Sequence, residues 1–76
     1  MKKYYEIIKE LREDREPKPS QKEIAKLLGT TQQYYSEYEN GKRPLPIEHL
    51  KTLCVFYNVS ADYILGLSEK MPFPKH

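Results

Sequence analysis

Several features that define large classes of protein are missing from this chain. It has one cysteine, so no disulfide can form within it. Its longest uninterrupted apolar run covers residues 53–57, far short of the roughly 20 residues that a membrane-spanning helix requires. The basic start leads into no apolar secretion segment, so the sequence predicts a cytoplasmic protein. Its 76 residues predict one small domain, too short for a second independent core.

The chain also lacks a strong charge of either sign. Thirteen lysine and arginine residues stand against 11 aspartate and glutamate residues, which gives a formal net charge of +2. This balance is too weak to indicate a nucleic-acid-binding protein, so any such prediction must rest on motif and geometry. Tryptophan is absent, and seven aromatic residues are tyrosine, whose rings can pack while their hydroxyls reach water.

Catalytic and metal-binding patterns are missing as well. Cys54 and His49 could serve as nucleophile and base, but on one predicted helix they lie about 140° apart around its axis and cannot meet. A structural zinc needs four converging ligands, and His49, Cys54 and His76 lack that spacing. The three glycines fall at predicted helix ends and form no phosphate-binding loop. The sequence therefore predicts no enzyme, no metal and no cofactor.

Apolar residues recur at helical spacing, and capping and stop signals separate five predicted helices. The first runs from Tyr4 to Glu16, the second from the Ser20 cap to Gly29, the third from a cap at Thr30 or Thr31 to Asn40, the fourth from Pro46 in its first turn to Asn58, and a short last one starts at the Ser60 cap. The predicted packing residues of the second, fourth and last helices include Ile24, Leu27, Leu28, Ile47, Leu50, Leu53, Cys54, Tyr57, Tyr63, Ile64 and Leu67. No strand is predicted.

Residues 21–40, QKEIAKLLGTTQQYYSEYEN, have the spacing of a helix-turn-helix. Small Ala25 permits close approach, Gly29 takes the turn, and apolar side chains fix the crossing angle, namely Ile24, Leu28, Tyr35 and Tyr38. The other face of the third helix carries the candidate base contacts Gln32, Gln33, Ser36 and Glu37. A glutamine amide can bond N6 and N7 of adenine, and a carboxylate can accept from a cytosine amino group. Glu37 could equally be a simply exposed carboxylate.

The block PSQKEIAKLLGTTQQYYSEYENGKRPLPIEHL, followed by YNVSADYILGL, resembles the Cro/cI-type (Xre-like) repressor family. The segment TTQQ…ENGK resembles the recognition helix of lambdoid phage repressors. The likeness covers about residues 4–67 and implies an all-α, compact five-helix, lambda-repressor-like DNA-binding domain with a helix-turn-helix. This assigns residues 1–67 to the domain and residues 68–76 to a C-terminal tail that is flexible or dimer-forming.

The resemblance also implies roles for single residues. Gln32, Gln33 and Glu37 would read bases, and Gln21 would contact a phosphate and brace Gln32. The remaining backbone contacts would come from Thr31, Asn40, Lys42 and Arg43. Tyr34 would either stack on sugar-phosphate or lie free on the surface, and Lys42 and Arg43 could alternatively be a solvated turn. Glu39 would pair with Arg12 of the first helix.

The sequence thus predicts a sequence-specific regulator of transcription, a repressor that binds double-stranded DNA through its third helix in the major groove. It would bind as a homodimer to a palindromic operator with half-sites roughly 34 Å apart. The last helix and the tail, with Met71 and Phe73, are the candidate dimer surface. Its predicted location is the nucleoid of a bacterial or phage-infected cytoplasm. The alternative is an antitoxin-like module of the same fold that neutralises a partner protein and autoregulates its promoter.

Overall fold

The structure, a computed structural model, describes residues 2–68, which form five α-helices and no strand. The helices are α1 (Tyr4–Asp14), α2 (Gln21–Leu28), α3 (Gln32–Glu39), α4 (Ile47–Tyr57) and α5 (Ala61–Ile64). The all-α, five-helix prediction is therefore confirmed. The part of the predicted tail that carries Met71 and Phe73 lies outside the described residues.

Three helices begin at a side-chain cap. Ser20 Oγ accepts from the backbone N–H of Glu23 at 3.0 Å, and Glu23 Oε1 accepts from the Ser20 N–H at 3.0 Å, which completes a capping box. At the start of α3, Thr31 rather than Thr30 is the cap, because Thr31 Oγ1 accepts from the Tyr34 N–H at 3.1 Å. Ser60 caps α5 in the same way. These local bonds satisfy donors that the first turn of a helix leaves free.

Two boundaries differ slightly from the prediction. Pro46 is the residue before α4 rather than part of its first turn, because its own backbone is extended and the helix begins at Ile47. Helix α1 ends at Asp14, two residues before Glu16, since the backbone of Arg15 is already extended. Arg15 and Glu16, between α1 and Pro17, are charged like the exposed residues of α1 but are not helical.

The end of α3 is a glycine turn that reverses the chain. Gly41 has a φ of +73°, and its N–H donates to the carbonyl of Tyr38 while the Lys42 N–H donates to the carbonyl of Glu37. This pair of bonds is a Schellman motif, which requires a left-handed residue at that point. Gly29 ends α2 in the same conformation, with a φ of +72°.

We expect Gly41→Ala to destabilise the domain more than Gly29→Ala. Both positions impose a left-handed backbone, which costs an L-residue about 1–2 kcal/mol. A Cβ at Gly41 would also stand 2.9 Å from the Tyr5 ring, whereas a Cβ at Gly29 would meet nothing within 4 Å. Displacing that ring should cost about 1 kcal/mol more. Urea denaturation of both variants measures the difference, and it should vanish when Tyr5 is also replaced by alanine; equal losses in the presence of Tyr5 would refute the steric argument.

Each helix contributes one fully buried large side chain to a single core. These side chains are Ile8, Ile24, Tyr35, Leu53 and Ile64. Around them pack further buried residues from α1 to α4, Val59 from the segment before α5, and partly buried residues such as Leu50 and Tyr63. Because no helix buries its apolar face alone, the core holds the helix-turn-helix in place only when α1, α4 and α5 are also packed.

The prediction of packing is wrong for three residues. Leu27, Ile47 and Leu67 are 44%, 73% and 71% exposed. Leu27 lies at the edge of the stripe formed by Ile24 and Leu28, in an open groove beside α4. Ile47 is the first residue of α4 and Leu67 follows α5, so both lie outside the part of the helix that packs against the core.

Candidate nucleic-acid interface

Helices α2 and α3 are joined by a tight turn of residues 29–31. The five side chains expected to set their crossing are all buried: Ile24, Ala25, Leu28, Tyr35 and Tyr38. The Tyr35 and Tyr38 rings meet edge to face with centroids 6.2 Å apart. The prediction for this pair of helices is therefore confirmed, and large tyrosine rings fill the space between α3 and the core.

The opposite side of α3 forms an open surface depression. Gln32 and Gln33 are exposed, while Ser36 and Glu37, one turn later, are half-buried. The depression brings together seven of the ten predicted DNA contacts, namely Gln21, Gln32, Gln33, Ser36, Glu37, Asn40 and Lys42. The other three predicted contacts, Thr31, Tyr34 and Arg43, do not line it. Within residues 2–68 no cluster of acidic, histidine or cysteine side chains could hold a metal ion.

The first turn of α3 presents polar and electropositive groups at this surface. It contains no acidic residue, and Gln32 and Gln33 are its first two residues. In the first turn of a helix the backbone N–H groups have no partner within the helix, and the helix dipole places partial positive charge there. A phosphate oxygen is the natural acceptor for such groups.

A buried ion pair fixes the far end of α3 against α1. Arg12 Nε donates to Glu39 Oε2 at 2.8 Å and Arg12 Nη2 to Glu39 Oε1 at 3.1 Å. The two residues are only 8% and 4% exposed. Burial alone would raise the pKa of Glu39, but its hydrogen bonds, above all that from Arg12, outweigh burial and hold this pKa below its usual value. The pairing implied by the family resemblance is therefore confirmed.

Gln21 connects this ion pair to the surface depression. Its Nε2 donates to Glu39 Oε1 at 3.0 Å, so in the described structure Glu39 rather than Gln32 holds the Gln21 amide. An amide nitrogen carries two N–H groups, and the second remains for an acceptor such as a phosphate. The orientation of Gln21 thus depends on a carboxylate in the core.

A second polar cluster was not predicted from the sequence. Arg43 Nε donates to Glu37 Oε1 at 2.8 Å, and Arg43 Cζ lies 4.0 Å from the centroid of the Tyr34 ring. The sequence predicts these three residues separately, Glu37 as a base contact and Tyr34 and Arg43 as backbone contacts. The signal that could have joined them is the Asn40-Gly41 stop, because a glycine turn sends the following chain back along the helix that it ends.

Comparisons with known proteins agree with this geometry. A family model described as helix-turn-helix matches residues 8–64. The uncharacterized HTH-type transcriptional regulator YobD of Bacillus subtilis (strain 168) is 33% identical over 72 residues, which cover 95% of this chain and 62% of that protein. The chain thus spans less than two thirds of that relative's length.

No solved structure matches the chain. In residues 2–68 no helix combines the length and apolar character needed to cross a membrane. The family match covers α2, the turn and α3 together with most of the core that supports them. The chain therefore belongs to the helix-turn-helix family.

Proposed function

We propose that this protein is a sequence-specific regulator that lays α3 in the major groove of double-stranded DNA. The observation that carries the proposal is the exposure of Gln32 and Gln33 at the start of α3, where both line a depression of polar groups. Neither glutamine contributes to the buried core, so the side of α3 that they occupy is free to meet a ligand. A major groove is wide enough to admit a helix.

The proposed base contacts follow from the chemistry of these side chains. Each glutamine amide has a donor and an acceptor that match N6 and N7 of adenine, and one good pair discriminates by about 1–3 kcal/mol. Ser36 has a hydroxyl that can donate or accept and therefore suits several bases. Glu37 lies on the same side of the helix, where its carboxylate is already bonded to Arg43.

The proposed phosphate contacts surround these bases. Lys42 and Asn40 follow α3 on the exposed side, and Thr31 precedes it. Gln21 would donate its second amide N–H from the start of α2. Contacts of this kind fix register and orientation without reading sequence.

We further propose that the protein is a cytoplasmic, nucleoid-associated repressor that occupies a palindromic operator as a homodimer, with no cofactor. Half-sites would lie roughly one helical turn, or 34 Å, apart. Leu65 and Leu67 support a dimer surface at α5 and the residues after it, since they are 46% and 71% exposed. Apolar surface of this kind is common at interfaces.

The function is tested by selecting bound duplexes from a random DNA pool with the wild type and with Gln32→Ala. We expect a palindromic motif, and we expect the variant to lose preference at one position of each half-site with a fall in affinity of roughly 5-fold to 150-fold. Because Gln32 is exposed, thermal unfolding of the variant should be unchanged, which separates a lost contact from a lost fold. Gln33→Ala is the matched control and should relax a different position.

A second candidate function is supported by a groove between α2 and α4. Leu27, Val55 and Phe56 line it, and Val55 is 73% exposed. Such a groove suits a protein partner, as an antitoxin-like module would require. If the selection enriches no motif, and residual DNA binding disappears at moderate salt, this second function becomes the better account.

A further inference from the structure

The turn after α3 holds the backbone of Arg43 in one place. The hydrogen bonds of Gly41 and Lys42 to the last turn of α3 fold the chain back on the helix. The Tyr5 ring stands against Gly41, and the Tyr4 hydroxyl lies 3.5 Å from the carbonyl oxygen of Arg43. The start of α1 therefore supports the segment from which the Arg43 side chain leaves.

The Arg43 side chain then runs back along α3. Glu37 and Tyr34 are one helical turn apart, and they contact the same guanidinium. Glu37 fixes it through a 2.8 Å hydrogen bond to Nε, while the Tyr34 ring lies against it at 4.0 Å. A hydrogen bond to Nε and an aromatic ring 4.0 Å from Cζ together restrict where the guanidinium can lie. The guanidinium thus lies against Tyr34, a residue of the first turn of α3, and is bonded to Glu37, which lines the depression together with Gln32 and Gln33.

The held guanidinium keeps most of its donors. Glu37 takes the Nε–H, and the two Nη groups carry the other four N–H bonds of an arginine. Within residues 2–68 no protein acceptor is bonded to these Nη groups. The Arg43 side chain is 40% exposed and that of Glu37 is 26% exposed, so the pair is accessible from the solvent.

The charge of the pair favours a base over a phosphate as its ligand. Glu37 and Arg43 together carry no net charge, and a carboxylate beside the guanidinium repels phosphate oxygens. A fixed planar fork of N–H donors instead matches O6 and N7 of guanine, the acceptor pair that arginine bonds in the major groove. Glu37 itself needs no base, since Arg43 already satisfies one of its oxygens.

We infer that Arg43 reads a guanine in the operator half-site and that Glu37 and Tyr34 are positioning residues that hold its guanidinium. This inference rests on the proposed function, because it requires α3 to enter the major groove. It changes the roles first expected for two residues: Arg43 becomes a base contact, and Glu37 acts through Arg43.

The test compares Arg43→Ala, Arg43→Lys, Glu37→Gln and the double variant of the last two by duplex selection and by affinity for the best site. Lysine keeps the charge of Arg43 but has neither the planar fork nor the flat surface that stacks. We expect Arg43→Ala to lose preference for one guanine per half-site by roughly 5-fold to 150-fold, and Arg43→Lys to reduce it by less, because an ammonium can reach a guanine acceptor but is not held in one plane by Glu37 and Tyr34. Glu37→Gln should relax the same position, and the double variant should be no worse than Arg43→Lys alone, because both changes remove one interaction.

Two further measurements separate a base contact from other roles. Replacing that guanine by 7-deazaguanine, which lacks the N7 acceptor, should weaken binding of the wild type and leave Arg43→Ala unaffected. Lys42→Ala is the matched control, since loss of a phosphate contact lowers affinity uniformly across sequences and reduces the salt slope by about 1. All variants change exposed or half-buried residues, and thermal unfolding verifies that each is folded.

The inference is overturned if Arg43→Ala behaves like Lys42→Ala, which would make Arg43 a phosphate contact. It is also overturned if Glu37→Gln shifts a base preference in the Arg43→Lys background, because Glu37 would then read a base itself. If Gln32→Ala relaxes its position while Arg43→Ala changes nothing, this inference alone fails. If the wild type selects no motif at all, the proposed function fails, and the inference fails as well because it rests on that function.

Discussion

Glu39→Ala is expected to lose about 3–5 kcal/mol of the free energy of unfolding, enough to leave much of the protein unfolded. The variant would keep Arg12 in a site where only 8% of its surface is exposed, without the carboxylate that accepts two of its hydrogen bonds. An uncompensated buried charge is among the most destabilising changes that a single substitution can make. Urea denaturation followed by helical circular dichroism measures the loss.

The matched control removes both charges at once. In the double variant Arg12→Met with Glu39→Leu no charge remains buried, so most of the stability should return. Gln21 would lose its partner, but it is half-buried and can bond to water instead. A double variant as unstable as Glu39→Ala would show that the shape of the pair, rather than its charge, supports this site.

The same ion pair makes stability depend on pH in a defined direction. The pKa of Glu39 is lower in the folded protein than in the unfolded chain, where a glutamate titrates near pH 4.3. Its contribution is therefore complete above the unfolded value and is lost as the pH falls through the folded value. The urea midpoint of the wild type should fall on acidification below about pH 4 more steeply than that of the double variant.

Tyr35→Ala should cost about 3–5 kcal/mol, whereas Tyr34→Ala should change stability by no more than about 0.5 kcal/mol. The two residues are neighbours on α3 with the same side chain, but Tyr35 is 0% exposed and Tyr34 is 45% exposed. Removing the Tyr35 ring leaves a cavity where α3 meets the core and takes away the edge-to-face contact with Tyr38.

Thermal and urea unfolding of the two alanine variants test this contrast. A small effect of Tyr35→Ala would mean that α3 can move inward to fill the space, and the crossing of α2 and α3 would then be less fixed than the buried rings indicate. We expect Tyr34→Ala to weaken DNA binding, because its ring lies against the guanidinium of Arg43, the base contact that we propose. Stability and operator affinity should therefore separate in this pair of variants.

Much of the fold could be predicted because helix boundaries are encoded locally. The Ser20 cap and the Gly29 turn are each set by a few neighbouring residues, and the structure places both where the sequence indicated. Burial is less local. Leu27 and Ile47 belong to apolar stripes, but which edge of a stripe meets another helix depends on residues far away in the chain.

The contacts of the candidate site also differ in whether the sequence could predict them. Helical periodicity sufficed to bring Gln32, Gln33 and Ser36 to one side of α3, because that side is fixed by the helix itself. The Asn40-Gly41 stop indicates that the chain turns back toward α3, but the contact of Glu37 with Arg43 also depends on the rotamers of a long side chain, which the sequence does not specify. The bond from Gln21 to Glu39 could not be predicted from the sequence, because it joins two helices and the amide nitrogen of Gln21 has several possible acceptors.

Under the proposed function, the exposed start of α3 has a consequence for how this domain would acquire new operators. Gln32 and Gln33 are absent from the buried core, and exposed positions of this kind tolerate exchange at a cost of about 0.5 kcal/mol or less. Glu37 and Arg43 differ, because changing either one leaves its partner without an ion pair. Binding preference can thus diverge one residue at a time at positions 32 and 33, whereas a change at position 37 favours a matching change at position 43.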